Sequence, residues 1–239
     1  MNAIVHNPRK DPLGTMLLDY LDGGHDACIE VISPTLAMGR MPAATMFRKY
    51  RDMPKLEQLA LHHCTGRILD VGAGSGCHSL YLQNQGLDVL AVDISPGCVQ
   101  AMHRQYVHNP RLCDVFSLQE ECFDTILMLM NGLGICGTLD GVNLFLQFVD
   151  TILAKEGQIL VDSTDLEILQ EEEETSACDE DVYLGETSFV MRYRDIYSDP
   201  FDWVYADYAT LQSFALLHNF QCQQLYSDNL GRYLARIFR

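Results

Sequence analysis

Apolar residues recur at helical spacing over residues 12–21 and give way to Gly23-Gly24, which predicts a short amphipathic helix. Pro54 opens a second helix, with Leu56, Leu59, Ala60 and Leu61 inward, running to Gly66. Ser33-Pro34 and Met41-Pro42 punctuate the chain between them. Residues 1–65 therefore read as a helical N-terminal extension, short helices broken by turns. From Arg67 the pattern changes to strand and helix in alternation. Residues 68–71 are a short buried strand, 75–83 are helical, and 88–93 are a second strand. Pro96 opens a helix to Gln105, 111–115 is a weaker strand, and 123–130 is the strongest strand of all. A helix over 140–153 and a fifth strand over 158–162 follow. Strands separated by helix-length segments need crossover connections, which predicts a parallel sheet covered on both faces.

The C-terminal part alternates differently. Residues 189–197 and 201–205 read as a hairpin across Ser198-Asp199-Pro200. Asp207 caps a helix over 208–218, and strands at 221–226 and 232–238 flank Ser227-Asp228-Asn229. The predicted fold is α/β, a Rossmann-like doubly wound sheet closed by an antiparallel C-terminal hairpin. The extension 1–65 precedes a body over 66–239, which carries an insertion at 164–206. Such a connection is far longer than the usual ~4–6 residues, a length that marks a functional segment or a disordered one. Its aromatic half, with Phe189, Tyr193, Tyr197, Phe201, Trp203 and Tyr205, is expected to wall an acceptor pocket. The acidic run 171–181 is expected to stay mobile or to close over the mouth.

Composition narrows the class. With 239 residues, 48% hydrophobic and 21% charged, the chain is neither fibrous nor disordered. Its longest apolar run, 126–130, is far short of the ~20 residues that cross a bilayer. Arg9, Lys10 and Asp11 stand where a signal peptide would need its apolar stretch. The nine cysteines include no Cys-x-x-Cys pair, so the sequence predicts reduced thiols and a cytoplasmic location. His62-His63-Cys64 lacks a second ligand pair at finger spacing, and no metal is expected. The net charge of −17 is mostly local, because residues 156–191 hold twelve acids and neither Lys nor Arg. A chain without a basic footprint is a poor partner for nucleic acid.

In an open parallel sheet, ligands bind beyond the carboxyl ends of the strands. Those ends are unusually polar here. They read Asp70 to Gly76, Asp93, Asp114, Asn131-Gly132, and Asp162 to Asp165. Glycines at the first end let the backbone approach a ligand, and the helix that follows offers free N–H groups to negative charge. Asp93 stands where a carboxylate grips a ribose diol. A dinucleotide site would want glycine at position 77, which is cysteine.

The stretch ILDVGAGSG at 68–76 instead resembles motif I of the class I S-adenosylmethionine-dependent methyltransferases, and the resemblance runs from Arg67 through most of the chain. VLAVDIS at 89–95 is similar to that family's ribose-binding motif, and the terminal hairpin to its antiparallel seventh strand. FDTILMLMNGLGICGTLDG at 123–141 and GQILVDSTD at 157–165 resemble a narrower bacterial subgroup. Two departures stand out. Lys155-Glu156-Gly157 replaces the usual Pro-Gly-Gly turn, and Gly-Leu-Gly follows Asn131 where amino-methylating DNA enzymes carry Pro-Pro-aromatic. The resemblance implies S-adenosylmethionine as cofactor. Asp70, Gly72, Ala73, Gly74 and Gly76 would hold its methionine part, Asp93 and Ile94 its ribose, and Asp114 with Val115 its adenine. The extension 1–65 would cover it.

Asn131 and Asp162 are the expected catalytic pair, Asn131 beside the methyl group. A turn with Gly132 is the alternative for Asn131. Other candidate bases are Asp165, His78 and His25, of which Asp165 could instead be a helix cap and His78 could face sheet or solvent. Arg48 pairs either with the cofactor carboxylate or with Asp52 at i+4. The expected acceptor is a small molecule. A protein or RNA acceptor, or a non-catalytic member that only binds the cofactor, are the alternatives.

Overall fold

The computed structural model describes residues 4–170 and 183–239, so the acidic run 171–181 lies outside the described residues. Along the chain, α1 (Pro12–Leu21) is followed by β1 (Cys28–Ile32), β2 (Gly39–Pro42) and α2 (Lys55–His63). Crossover units come next: β3 (Arg67–Val71), α3 (Cys77–Asn84), β4 (Asp88–Asp93), α4 (Pro96–Arg104) and β5 (Pro110–Leu112). Then come β6 (Phe123–Met128), α5 (Leu139–Val149), β7 (Leu153–Thr164) and the short α6 (Leu166–Gln170). The chain ends with β8 (Glu186–Tyr193), β9 (Ile196–Tyr197), β10 (Phe201–Val204), α7 (Tyr208–Leu217), β11 (Gln221–Ser227) and β12 (Arg232–Phe238).

Seven strands form the main sheet in the order β11-β12-β7-β6-β3-β4-β5. Its five central and outer strands β7, β6, β3, β4 and β5 run parallel, and β12 pairs antiparallel to β7 with β11 beside it. Parallel strands buried on both faces read as continuous apolar runs. Accordingly Ile68, Leu69, Ile126, Leu127, Ile159 and Leu160 are fully buried. Each such side chain contributes about 1.5–3 kcal/mol relative to exposure. One face packs on α5 and α7, the other on α2 and α3.

Three differences from the sequence reading position the site. First, the N-terminal extension is not helical throughout. Between its helices β1 and β2 form an antiparallel hairpin, and β1 pairs on its other edge with β8, Glu30 opposite Arg192. The β-branched Cys-Ile-Glu-Val-Ile stretch becomes a strand because a partner from a distant part of the chain completes its ladder. Second, the aromatic hairpin turns at Arg194 (φ +55°), with Tyr193 opposite Ile196, and not at Ser198-Asp199-Pro200. The latter is a break in the returning strand, where proline has no N–H to donate; β10 then resumes pairing with Phe201 opposite Phe189. The second sheet thus runs β10-β8-β1-β2. Third, β5 ends at Leu112, so Asp114 caps a short turn and does not end a strand.

Helix α1 packs on α4 and β8, filling a third apolar cluster with Met16, Leu17, Ile29, Met46 and Cys98. Asp11 anchors it. Its buried carboxylate accepts from the Gly14 and Gly97 N–H groups (2.9 and 3.0 Å), capping the first turns of α1 and α4 together. Among the described residues no helix is long and apolar enough to cross a membrane.

Candidate active site

The loop from β3 into α3 carries Gly72, Gly74 and Gly76 at φ +69°, +58° and +80°, the left-handed region that glycine tolerates. Gly76 in that conformation delays the helix to Cys77, two residues beyond the predicted start. At Gly74 a Cβ would also strike the Met46 methyl, which packs on the loop from the N-terminal segment. The Ser75 hydroxyl donates to the Met46 carbonyl on the same side.

Asp93 ends β4 and is buried, the residue being 8% exposed. It accepts from the N–H groups of Gly74 and Ser95, both at 2.8 Å. Burial pushes it up to about 6, and the two backbone donors work against that rise. Asp70 is more deeply enclosed, accepts from the Ser79 hydroxyl at 2.6 Å, and is likewise raised by burial. Asp114 accepts from the Phe116 N–H at 3.0 Å, while Cys113 N–H binds the Asp93 carbonyl. Asp70, Asp93 and Asp114 thereby line one space, together with Gly72, Ala73, Ile94, Val115 and Asn131.

That space is a cavity of about 830 Å³, within the ~300–1,000 Å³ range of small-ligand sites. Its roof comes from the N-terminal segment, where Val5 N–H binds the Ile94 carbonyl at 2.9 Å. Val31 and Met41 of the β1–β2 hairpin reach it, and so do Phe189, Phe201, Trp203 and Tyr205 from the second sheet. At the rim Lys10 pairs with Asp199 at 2.5 Å. Four of the insertion's six expected aromatic residues therefore wall the cavity, whereas Tyr193 packs in the apolar cluster with α1 and Tyr197 is exposed. Val31 and Met41 were not legible as lining residues; alternation in residues 28–32 was the one local signal.

After β6 the chain bends through Met130 and Asn131, both left-handed at φ +67° and +57°. Consecutive non-glycine residues in that region cost on the order of 1–3 kcal/mol each and persist where surroundings impose them. Here Asp162 imposes the bend. Its Oδ1 accepts from Gly132 N–H at 3.0 Å, and the Asn131 N–H binds the same carboxylate. Burial raises Asp162 to about 6. Asp162 is not part of the cavity lining, whereas Asn131 and Gly132 are. Asn131 Oδ1 accepts from the Thr164 hydroxyl at 2.7 Å, which turns its amide nitrogen into the free end of the side chain.

The remaining candidates separate cleanly. Asp165 accepts from Glu167 N–H as a helix cap. His25 packs edge-on against Tyr20, away from the cavity. His78 is buried and lines the cavity, with Nε2 at 2.9 Å from Glu57 Oε2. Glu57 also takes Arg48 Nη2 between its two oxygens, at 2.7 and 2.8 Å. Arg48 is therefore partnered by Glu57 and not by Asp52, which lies beside Arg51. Glu57 went unnoticed because its neighbours come from other elements. Of the methionines, Met128 is core, while Met130 lines the cavity.

A methyltransferase-domain family model matches residues 69–161. A structure of an S-adenosylmethionine-dependent methyltransferase from Bacteroides fragilis in complex with S-adenosyl-L-homocysteine is 40% identical, with a TM-score of 0.88 over 99% of this chain and 98% of that one. More distant similarity, of fold alone, extends to the sugar N-methyltransferase KedS8 from Streptoalloteichus (14% identity, TM-score 0.53, 77% and 85% covered). It extends also to the Burkholderia thailandensis 1,6-didemethyltoxoflavin-N1-methyltransferase (17% identity, TM-score 0.50, 100% and 92% covered). No curated protein matches the chain.

Proposed function

The chain belongs to the class I S-adenosylmethionine-dependent methyltransferases, and on that premise we propose that it methylates a small-molecule acceptor held in the cavity described above. The observation that carries this reading is that one cavity, of a volume that suits a small ligand, joins Asp70, Asp93 and Asp114 to a wall of side chains from a second sheet. The fold neighbours named for sugar and toxoflavin-precursor acceptors are consistent with it.

The residues present fit the cofactor. The loop residues Gly72 and Ala73 line the cavity beside Asp70, and the carboxyl-bearing residues Asp93, at the end of β4, and Asp114, in the turn after β5, border it too. S-adenosylmethionine, when bound, supplies an electrophilic methyl group on a sulfonium. Asp93 with Ile94 would hold the ribose hydroxyls, Asp114 and Val115 the adenine, and Asp70 with the loop Gly72, Ala73, Gly74 and Gly76 the methionine part. Residues 1–65 form the cover over this cleft, and 66–239 the catalytic body.

The protein's main contribution is alignment in a site that excludes water, which can supply about 7–11 kcal/mol. Asn131 is the residue assigned beside the reacting atoms, its amide N–H groups free to orient an acceptor lone pair. Asp162 serves this arrangement as a positioning residue, because its carboxylate is engaged by the Asn131–Gly132 backbone. Calorimetry with S-adenosylhomocysteine tests the cofactor half of the reading. Incubation with S-adenosylmethionine and a cell metabolite extract, read by mass spectrometry for a compound gaining one methyl group, tests the acceptor half. Cofactor binding without any methylated metabolite, and with methylated protein or RNA instead, would overturn it.

A further inference from the structure

Resting on the reading that cofactor and acceptor share this cavity, we propose that the acceptor is a planar aromatic compound without an anionic group, bound against the ring wall of β8 and β10. Four rings make that wall. Phe189 stands 6.2, 6.3 and 6.4 Å from Phe201, Trp203 and Tyr205, and Phe201 stands 6.1 Å from Trp203, centroid to centroid. All four line the cavity. Their mutual angles, 58° to 88°, leave ring faces and edges turned outward from the cluster in several directions. A planar aromatic guest completes such a set by offset stacking or edge-to-face contact. Met191 on β8 and Met41 on β2 also line the cavity and add polarizable sulfur, a further favourable contact for an aromatic ring.

The charge distribution points the same way. Among the described lining residues, Lys10 is the sole Lys or Arg, and it is already paired with Asp199 at the rim. Asp11, Asp70, Asp93 and Asp114 lie at the cofactor end, each already accepting a hydrogen bond. The ring wall carries no positive counter-charge, so a carboxylate placed on it would lose hydration without compensation. Its polar groups are two. Trp203 Nε1 is buried against Gly134 without a hydrogen-bond partner among the described residues, so the indole offers its face and not its N–H. The Tyr205 hydroxyl has no protein partner among the described residues, and burial raises its ionisation so that it stays a donor. It suits a ring oxygen or ring nitrogen on the guest.

Trp203 is the only tryptophan in the chain, so its emission reports the wall directly. Protein saturated with S-adenosylhomocysteine is titrated with naphthol, hydroxyquinoline, naphthoate and glucosamine. Naphthol and hydroxyquinoline should quench the emission saturably. Naphthoate should bind about tenfold more weakly than naphthol, and glucosamine not at all. In calorimetry, Phe201→Leu and Tyr205→Phe should each weaken hydroxyquinoline binding by up to about tenfold while leaving the affinity for S-adenosylhomocysteine as it was. The isosteric Tyr205→Phe keeps the test sound if Phe201→Leu fails to fold. Normal S-adenosylhomocysteine binding with no aromatic binding, or with glucosamine or naphthoate bound as tightly as naphthol, overturns the proposal and spares the methyltransferase reading. Failure of S-adenosylhomocysteine itself to bind overturns both.

Discussion

The indole of Trp203 lies over the Cα of Gly134, so close that a Cβ on that glycine would collide with the ring. This contact seats the second sheet on the turn that follows Asn131. It also gives the Gly-Leu-Gly run a structural reason: position 134 must be bare. We expect Gly134→Ala to destabilise the protein by about 1–3 kcal/mol, the scale of overpacking in a filled interior. The same variant should shift Trp203 emission and leave cofactor affinity nearly unchanged. Thermal denaturation and fluorescence check both, and a native melting temperature with unshifted emission would show that the two residues do not touch.

Asp93→Ala should weaken S-adenosylmethionine binding by about 2 kcal/mol, the scale of a lost pair of charge-assisted hydrogen bonds. The variant also frees the Gly74 and Ser95 N–H groups, so calorimetry needs circular dichroism beside it. Full affinity in a folded variant removes Asp93 from the ribose assignment.

Acid should move stability and affinity in opposite directions. Asp93 and Asp162 both sit near pKa 6 when folded, above the ordinary carboxylate value of 3.8. A carboxyl group with a raised folded pKa binds its proton more tightly in the folded state. Between about pH 4 and pH 6 the folded chain then holds more protons than the unfolded one, and stability attributable to these groups grows as pH falls through that window. Above pH 6 both are ionised and the burial cost is at its full value. The cofactor-free protein should therefore melt a few degrees higher at pH 5.5 than at pH 7.5, an effect muted in Asp162→Asn. Cofactor affinity should fall over the same interval, because a protonated Asp93 is a weaker acceptor for the ribose hydroxyls. A melting temperature that drops with acid in this range contradicts the raised values.

Removing Glu57 should cost more than its distance from the sheet suggests. Glu57→Leu strands Arg48 and His78 in a space where Arg48 is only 17% exposed, and breaking such a pair costs about 3 kcal/mol. Adding Arg48→Met should recover part of the loss, since an apolar pair leaves no uncompensated charge. Urea denaturation of the single and double variants measures the difference, and strictly additive losses would contradict the coupling.

The parallel half of the fold was legible because its information is local. Apolar runs at 68–71 and 123–128, helix-length spacers and the glycine loop identify β3, β6 and their crossovers without reference to any partner. The same holds for Asp70 and Asp93, the last polar residues of β3 and β4, and for Asn131, the first polar residue after the apolar run of β6. What stayed hidden depends on contacts between distant segments. β1 is a strand because β8 lies beside it, and Glu57 matters because Arg48 and His78 converge on it. Asp162 was assigned to the right strand end, yet nothing in Val-Asp-Ser-Thr tells whether its carboxylate faces the cavity or the neighbouring turn. It faces the turn, where the N–H groups of Asn131 and Gly132 satisfy it.

The pairing of β1 with β8 sets an order on biosynthesis. Glu30 leaves the ribosome long before Arg192, its opposite number. By the time β7 has been made, every parallel strand of the main sheet exists and can associate through short-range connections. The first hairpin must wait, its outer edge unpaired, until the late segment arrives and closes a very large loop, a slow and entropically costly step. The cleft beneath it is open on that side throughout the interval. The wall of the cleft is accordingly a late acquisition of the nascent chain, completed only once residues 186–204 have been made and followed by the last two strands of the main sheet.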